Sequence, residues 1–176
     1  MNDIINAILK RRSIRAYTDK EISEDTMNTI LKAAMYAPTA RNSQEWRFIV
    51  VRNPENLQKI QQVQPYNTLL EQANAAVIVC ALVESDAAKR YFQQDCGASI
   101  QNLMLAAYGL GVGSVWLGVY PNEQLVDGIT KSFKLPKDVF PIGVVALGYP
   151  AEEKPDPERF DASKIHNEQW YQEKLI

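Results

Sequence analysis

The chain has 176 residues, 46% hydrophobic and 23% charged, with 19 Lys and Arg against 21 Asp and Glu for a net charge of −2. That length predicts one domain able to bury a core without staples, and the balanced charge removes the broad electrostatic case for a nucleic-acid or anionic-membrane partner. A single histidine, His166, and two cysteines, Cys80 and Cys96, with no Cys-x-x-Cys pair, argue against a structural zinc site or a disulfide framework.

The opening segment MNDIINAILKRRS is too short and too broken by charge to read as a secretory signal. No apolar run approaches the roughly 20 residues that span a bilayer. The expectation is a cytoplasmic protein.

In chain order, Ile4, Ile5, Ala7, Ile8 and Leu9 have helical spacing over 3–10 and lead into Arg11-Arg12-Ser13-Ile14-Arg15. Thr18-Asp19-Lys20 reads as a turn. Ser23 is a candidate N-cap for a helix whose apolar face is Met27, Ile30, Leu31, Ala34 and Met35, ended by Pro38. A loop follows, then a strand over 46–51 stopped by Asn53-Pro54. Residues 55–63 and 67–74 read as short helices split at Pro65.

The continuous apolar, β-branched run 75–83 predicts a strand buried on both faces. A long helix over 86–110 has Tyr91, Ser99, Ile100, Leu103, Ala107 and Leu110 on its inner face and ends at Gly109 and Gly111. A strand over 114–119, a helix over 123–133 and a strand over 140–147 complete residues 1–149. Residues 150–176 are rich in proline and lack apolar periodicity. They read as an arm of the same domain, whose Phe160, Ile165, Trp170 and Tyr171 call for cover by a partner subunit. The order predicts an α+β sandwich, a small and mostly antiparallel sheet flanked by helices.

Three segments bear on chemistry. RRSIRAY, residues 11–17, gathers three arginines and a serine at a helix-to-loop junction, which suits a phosphate bound by guanidinium forks; a solvated basic turn is the plainer alternative. PTARNSQEW, residues 38–46, offers Thr39, Asn42 and Gln44 to the edge of a heteroaromatic ring, against plain turn chemistry. Gly109, Gly111 and Gly113 form a GxGxG run, but helix precedes strand here, whereas the dinucleotide fingerprint needs strand, turn, then helix. These glycines read instead as a helix cap and a place where backbone can approach something flat.

RRSIRAY, PTARNSQEW and GLGVGSVWLGVYP in this order, with QDCGASIQNLMLAAYGLG and the tail GYPAEEKPDPERFDASKIH, resemble the nitroreductase family of FMN-dependent oxidoreductases over essentially the whole chain. The resemblance implies a three-layer sandwich and an intertwined homodimer with FMN in clefts at the subunit interface. It implies that Arg11, Arg12, Ser13 and Arg15 hold the phosphate, ribityl chain and nearby ring edge, with Arg159 completing the phosphate site. Pro38, Thr39, Asn42 and Gln44 would come from the other subunit, and Leu117 and Gly118 would lie beside the flavin N5 and O4 region. Many members carry proline where this chain has Glu45, a departure that bears on the cleft's charge or shape.

The implied activity is ping-pong reduction of nitroaromatics, quinones or similar electron-poor compounds, with NADH or NADPH as donor and no side chain acting as nucleophile. A specialised dehydrogenase or dehalogenase of the same fold, and a non-enzymatic flavin-binding or sensing protein, are the alternatives. His166 reads as structural or surface, Cys80 and Cys96 as core packing, and Asp95 as a surface or interface charge.

Overall fold

A strand sealed on both faces carries apolar side chains at every position, and β2 (Ala75–Leu82) does so in the computed structural model, which describes residues 3–64 and 68–170. It lies inside a four-stranded antiparallel sheet with β1 (Trp46–Val51), β3 (Gly113–Gly118) and β4 (Val139–Gly148), in the order β1-β2-β4-β3. Successive side chains point to opposite faces. Ala75, Val77 and Val79 therefore pack on α2 (Glu24–Met35) and α4 (Asp86–Gly109), against Ile30, Phe92, Ile100 and Leu103. Ala76, Ile78 and Cys80 meet α3 (Pro54–Val63) and α5 (Glu123–Phe133) through Leu57, Ile60 and Ile129. The result is the expected three-layer α+β sandwich.

The register slips once, between Val79 opposite Gly143 and Cys80 opposite Pro141. The extra residue, Ile142, accepts at its carbonyl from the N–H groups of both Val119 and Tyr120, so the bulge sets where the chain leaves β3. Helix starts follow local chemistry. Ser23, Asn53, Ser85 and Asn122 each accept from backbone N–H groups of the first turn. Lys134 and Gly111 adopt left-handed backbone after α5 and α4.

Two expectations change. The helix foreseen over 67–74 is only a 3-10 turn at Thr68–Glu71, because Asn74 already bonds Leu147 and the strand begins at Ala75. Asn67 and Tyr171 lie outside the described residues. On α4 the buried stripe runs through Ala88, Phe92, Cys96, Ser99, Ile100, Leu103 and Ala107. Tyr91 sits one residue off it and Leu110 ends the helix, so both are exposed rather than inward.

Helix α1 (Asp3–Lys10) lies against α4 yet buries none of its residues; Ile4, Ile5, Ile8 and Leu9 are all exposed. Among the described residues no helix is long and apolar enough to cross a membrane.

Candidate cofactor site

After α1 the basic segment is laid onto the sheet's margin as an added, irregular strand. Ser13 bridges Ser114 in parallel, the Ile14 N–H donates to the Ser114 carbonyl at 3.0 Å, and Tyr17 bridges Pro150 antiparallel. The Thr18 N–H to Tyr149 (2.8 Å) and the Ala151 N–H to Ala16 (2.9 Å) fix its far end and the start of the arm. Ile14 and Tyr17 turn inward and are buried, while Arg11 and Arg12 are half-buried and Arg15 is exposed. Tyr17 donates its hydroxyl to the Ile14 carbonyl at 2.6 Å.

Two glycines permit this approach. A Cβ on Gly113 would lie 2.9 Å from the Ile14 Cβ, and one on Gly148 would lie 2.7 Å from the Tyr17 ring. The last glycine of the GxGxG run therefore admits Ile14, a side chain of this chain, rather than a flat ligand, while Gly111 supplies the helix cap with φ +73.

The arginines separate into two groups. Arg11 stands close enough to Arg12 and Arg159 that burial and these two cations hold its guanidinium below the ordinary arginine range. Its Nη1 is buried and has no acceptor among the described residues. Arg12 is tied to the arm through the Pro155 carbonyl, and Lys10 pairs with Asp156 at 3.6 Å. Arg11, Arg12 and Ser114 border a cleft of about 680 Å³, and Arg11 and Arg159 border a second between α1 and the arm.

Arg15 is exposed and belongs elsewhere. Its N–H donates to Glu152 at 2.6 Å, and its side chain borders a cleft of about 880 Å³ with Gln64, Trp116, Leu117 and Gly118. Leu117 points into the core, while Gly118 is exposed with open space where a Cβ would stand. A flat ring can lie against backbone there. Guanidinium groups bordering the first two clefts and a bare glycine bordering the third are groups of the kind that suit a phosphate and a flat ring.

Gln64 is absent from the sequence-based set. It is buried at the end of α3 and donates through Nε2 to the Gly118 carbonyl at 3.2 Å. Its signal was present: Leu57, Ile60 and Gln64 fall at helical spacing, which places one amide on an apolar face.

The loop 38–46 stands apart. Pro38 is exposed, and Pro38, Thr39, Asn42 and Gln44 border none of the clefts around the arginines of the same chain. Arg41, Asn42 and Gln44 all have left-handed backbone, φ 54, 55 and 49, a conformation unfavourable to side-chain-bearing residues. The loop is held in it by internal bonds, from the Gln44 N–H to Thr39 Oγ1 (3.2 Å) and from Gln44 Nε2 to Asn42 Oδ1 (2.8 Å). An anchor comes from α4: Asp95 Oδ2 accepts from the Ala40 N–H at 2.8 Å. Asp95 is therefore not a surface charge but a buried one, because the loop closes over it.

Burial pushes the Cys80 thiol up to about 12, and burial followed by nearby Glu45, Cys80 and Asp95 also raises Cys96. Both thiols are packing groups. His166 lies on the arm with its ring 4.0 Å from that of Trp170. Among the described residues no group of His, Cys, Asp and Glu is arranged to hold a metal ion.

Comparison with known proteins points the same way. The sequence model of the nitroreductase family matches residues 8–66 and 64–149, ending where the arm begins. A Methanothermobacter thermautotrophicus protein assigned as an NADH dehydrogenase/NAD(P)H nitroreductase is 45% identical over 96% of this chain and 88% of its own. An FMN reductase [NAD(P)H] of Bacillus subtilis is 26% identical over 97% and 75%. Among solved structures, an FMN-dependent nitroreductase from Clostridium difficile superposes with a TM-score of 0.86 at 28% identity, over 94% of this chain and 99% of its own. With matches that span most of its length, this chain belongs to the nitroreductase family.

Proposed function

We propose that the chain is an FMN-dependent NAD(P)H oxidoreductase that works as a cytoplasmic homodimer and reduces nitroaromatics, quinones or similar electron-poor small molecules. The observation that carries this reading is the cluster of Arg11, Arg12 and Arg159, in which a buried guanidinium nitrogen of Arg11 has no acceptor. Like charges do not gather in a partly dry place unless an anion completes them. The flavin and the nicotinamide donor are suggested by the relatives' names, FMN reductase [NAD(P)H] and FMN-dependent nitroreductase.

Arg11, Arg12, Ser13 and Arg159 would hold the phosphate and ribityl chain. Arg15, Leu117 and Gly118 would meet the ring edge, with Gln64 fixing the Gly118 peptide. FMN bound there would supply hydride transfer between a nicotinamide donor and an electron-poor acceptor, in ping-pong order. Arg15 brings positive charge to the ring end, where negative charge develops on reduction. Pro38, Thr39, Asn42 and Gln44 would reach the cofactor of a second copy, since they border none of the three clefts described above at their own chain's arginines. No side chain is needed as a nucleophile.

A second copy is supported by apolar surface. Besides α1, the arm leaves Phe160 86% and Trp170 78% exposed, and residues 150–176 would pack on the partner. The paired change Ile8→Asp and Leu9→Asp is expected to convert a dimer into a monomer by analytical ultracentrifugation and to remove flavin with it. A monomeric parent protein would refute the dimer.

The phosphate assignment is tested by comparing FMN with riboflavin, which lacks only the phosphate. FMN should bind about 100-fold tighter, the equivalent of roughly 3 kcal/mol for charge-assisted contacts; equal affinity would place the arginine cluster outside the site. Gln64→Leu should weaken FMN binding about fivefold or more through loss of its bond to the Gly118 carbonyl, worth about 1 kcal/mol. Unchanged binding would remove Gln64 from the ring site.

A further inference from the structure

Beneath the loop 38–46 lie two carboxyl groups for which the proposed chemistry has no use. Glu45 is only 3% exposed and Asp95 8%. Glu45 Oε2 accepts from the Ser43 hydroxyl at 2.5 Å, and Asp95 Oδ2 accepts from the Ala40 N–H at 2.8 Å. Glu45 Oε1 is buried with no hydrogen-bond partner among the described residues, and the Glu45 side chain lies near enough to help push the Asp95 carboxyl upward. Two carboxylates are both acceptors, so contact between them requires a proton. We propose that Glu45 is a positioning residue: it shares one proton with Asp95, and this acid pair fastens the 38–46 loop to α4 in the conformation that presents Asn42 and Gln44.

The surroundings favour a shared proton over two charges. Burial, then the Glu45 side chain as bond partner and as charge, push the Asp95 carboxyl upward, against the opposing Ala40 N–H. From α4 the neighbouring titratable group is the Cys96 thiol, which burial raises first and Glu45 next; Cys80 of β2 lies on the opposite face of the sheet. From β1 comes Arg47, whose Nη1 is spent on the carbonyls of Gln44 (3.1 Å) and Trp46 (2.8 Å). Ser43 can serve Glu45 whether or not the pair holds its proton.

The direction with pH follows. A carboxyl whose folded value lies above its unfolded value of about 3.9 stabilises the folded loop most at low pH, and that contribution is lost as pH rises through the folded value. Above it, two carboxylates face each other in a poorly solvated place and push the loop off α4. Glu45→Gln preserves the shape and lets an amide N–H donate to Asp95 at any pH. Asp95→Asn does the converse, its amide donating to Glu45 and its oxygen still accepting from Ala40.

The test uses the full chain and two readouts. Infrared difference spectroscopy should show the carbonyl stretch of a buried protonated carboxylic acid persisting above the ordinary aspartate value of about 3.9, shifted in D2O, and absent from Glu45→Gln and from Asp95→Asn. FMN affinity, which depends on the function proposed above, should fall about tenfold in the parent protein as pH rises from the ordinary carboxylate range through the raised value of the pair. It should stay level in Glu45→Gln, which should match the parent at the acid end. A parent protein without the acid band, a band that survives Glu45→Gln, or identical pH profiles for parent and variant would each overturn the pair. If neither protein binds FMN, the functional reading fails, while the infrared band still decides the pair.

Discussion

Arg11→Ala is expected to release FMN while leaving the apoprotein as stable as before or slightly more so. The two halves of this result have one cause. In the absence of an anion, the Arg11 guanidinium is partly desolvated, faces Arg12 and Arg159, and has a buried Nη1 without an acceptor. Removing it relieves repulsion. With phosphate present, the same group makes charge-assisted bonds worth about 2–3 kcal/mol, so its loss should weaken FMN binding about 30–150-fold. Thermal melts with and without FMN separate the effects: the parent should rise in Tm on adding FMN by mass action, and the variant should not. Arg15→Ala should weaken binding less, because Arg15 is exposed at the ring end. A variant that retains flavin fully, or an apoprotein markedly destabilised by the loss of Arg11, would show the guanidinium to be a structural group instead.

Gly148→Ala should be among the most damaging single-methyl insertions in the chain. The added Cβ would stand 2.7 Å from the Tyr17 ring and 2.8 Å from Asn74 Oδ1, too close for either to stay. Tyr17 is buried and bonded to the Ile14 carbonyl, so it has little room to yield. Overpacking of this kind costs roughly 1–3 kcal/mol. The consequence reaches function, because Tyr17 and Ile14 are the inward anchors of the segment that carries the arginines. Denaturant unfolding should show the loss of stability, and FMN affinity should fall with it. Tyr17→Phe, which removes only the hydroxyl bond, should cost about 1 kcal/mol. Combining Gly148→Ala with Tyr17→Leu should be milder than the sum of the two, since the smaller side chain makes room. Simple additivity would mean that the ring is not what the methyl meets.

The sequence spoke most clearly where one physical signal sufficed. The apolar run of β2 announced a strand sealed on both faces, and Ser23 announced the start of α2 through its side-chain oxygen. The basic cluster was readable by residue type, and the fold brought Arg159 from more than a hundred residues away to Arg11. Pairwise fit was not readable. Gly113 reads as a place for something flat and Gly148 carries no signal of its own, yet each admits a particular side chain, Ile14 or Tyr17, from a distant segment.

Polar burial was hidden for the same reason. Asp95 looks like any charged helix residue until the loop closes over it, and Glu45 looks like a substitution in a loop motif until its carboxyl meets that of Asp95. Gln64 occupies an apolar face by helical spacing, but its partner, the Gly118 carbonyl, is 54 positions away. The failed helix over 67–74 shows the reverse case, where local preference gave way to the strand that begins at Ala75.

The most direct test of the central claim is anaerobic reduction of the protein-bound flavin. The purified protein, or the apoprotein supplied with FMN, should be yellow, should bleach on addition of NADH or NADPH without oxygen, and should regain its colour with a quinone or nitroaromatic acceptor. A colourless protein that takes up no added FMN would contradict the account at its root.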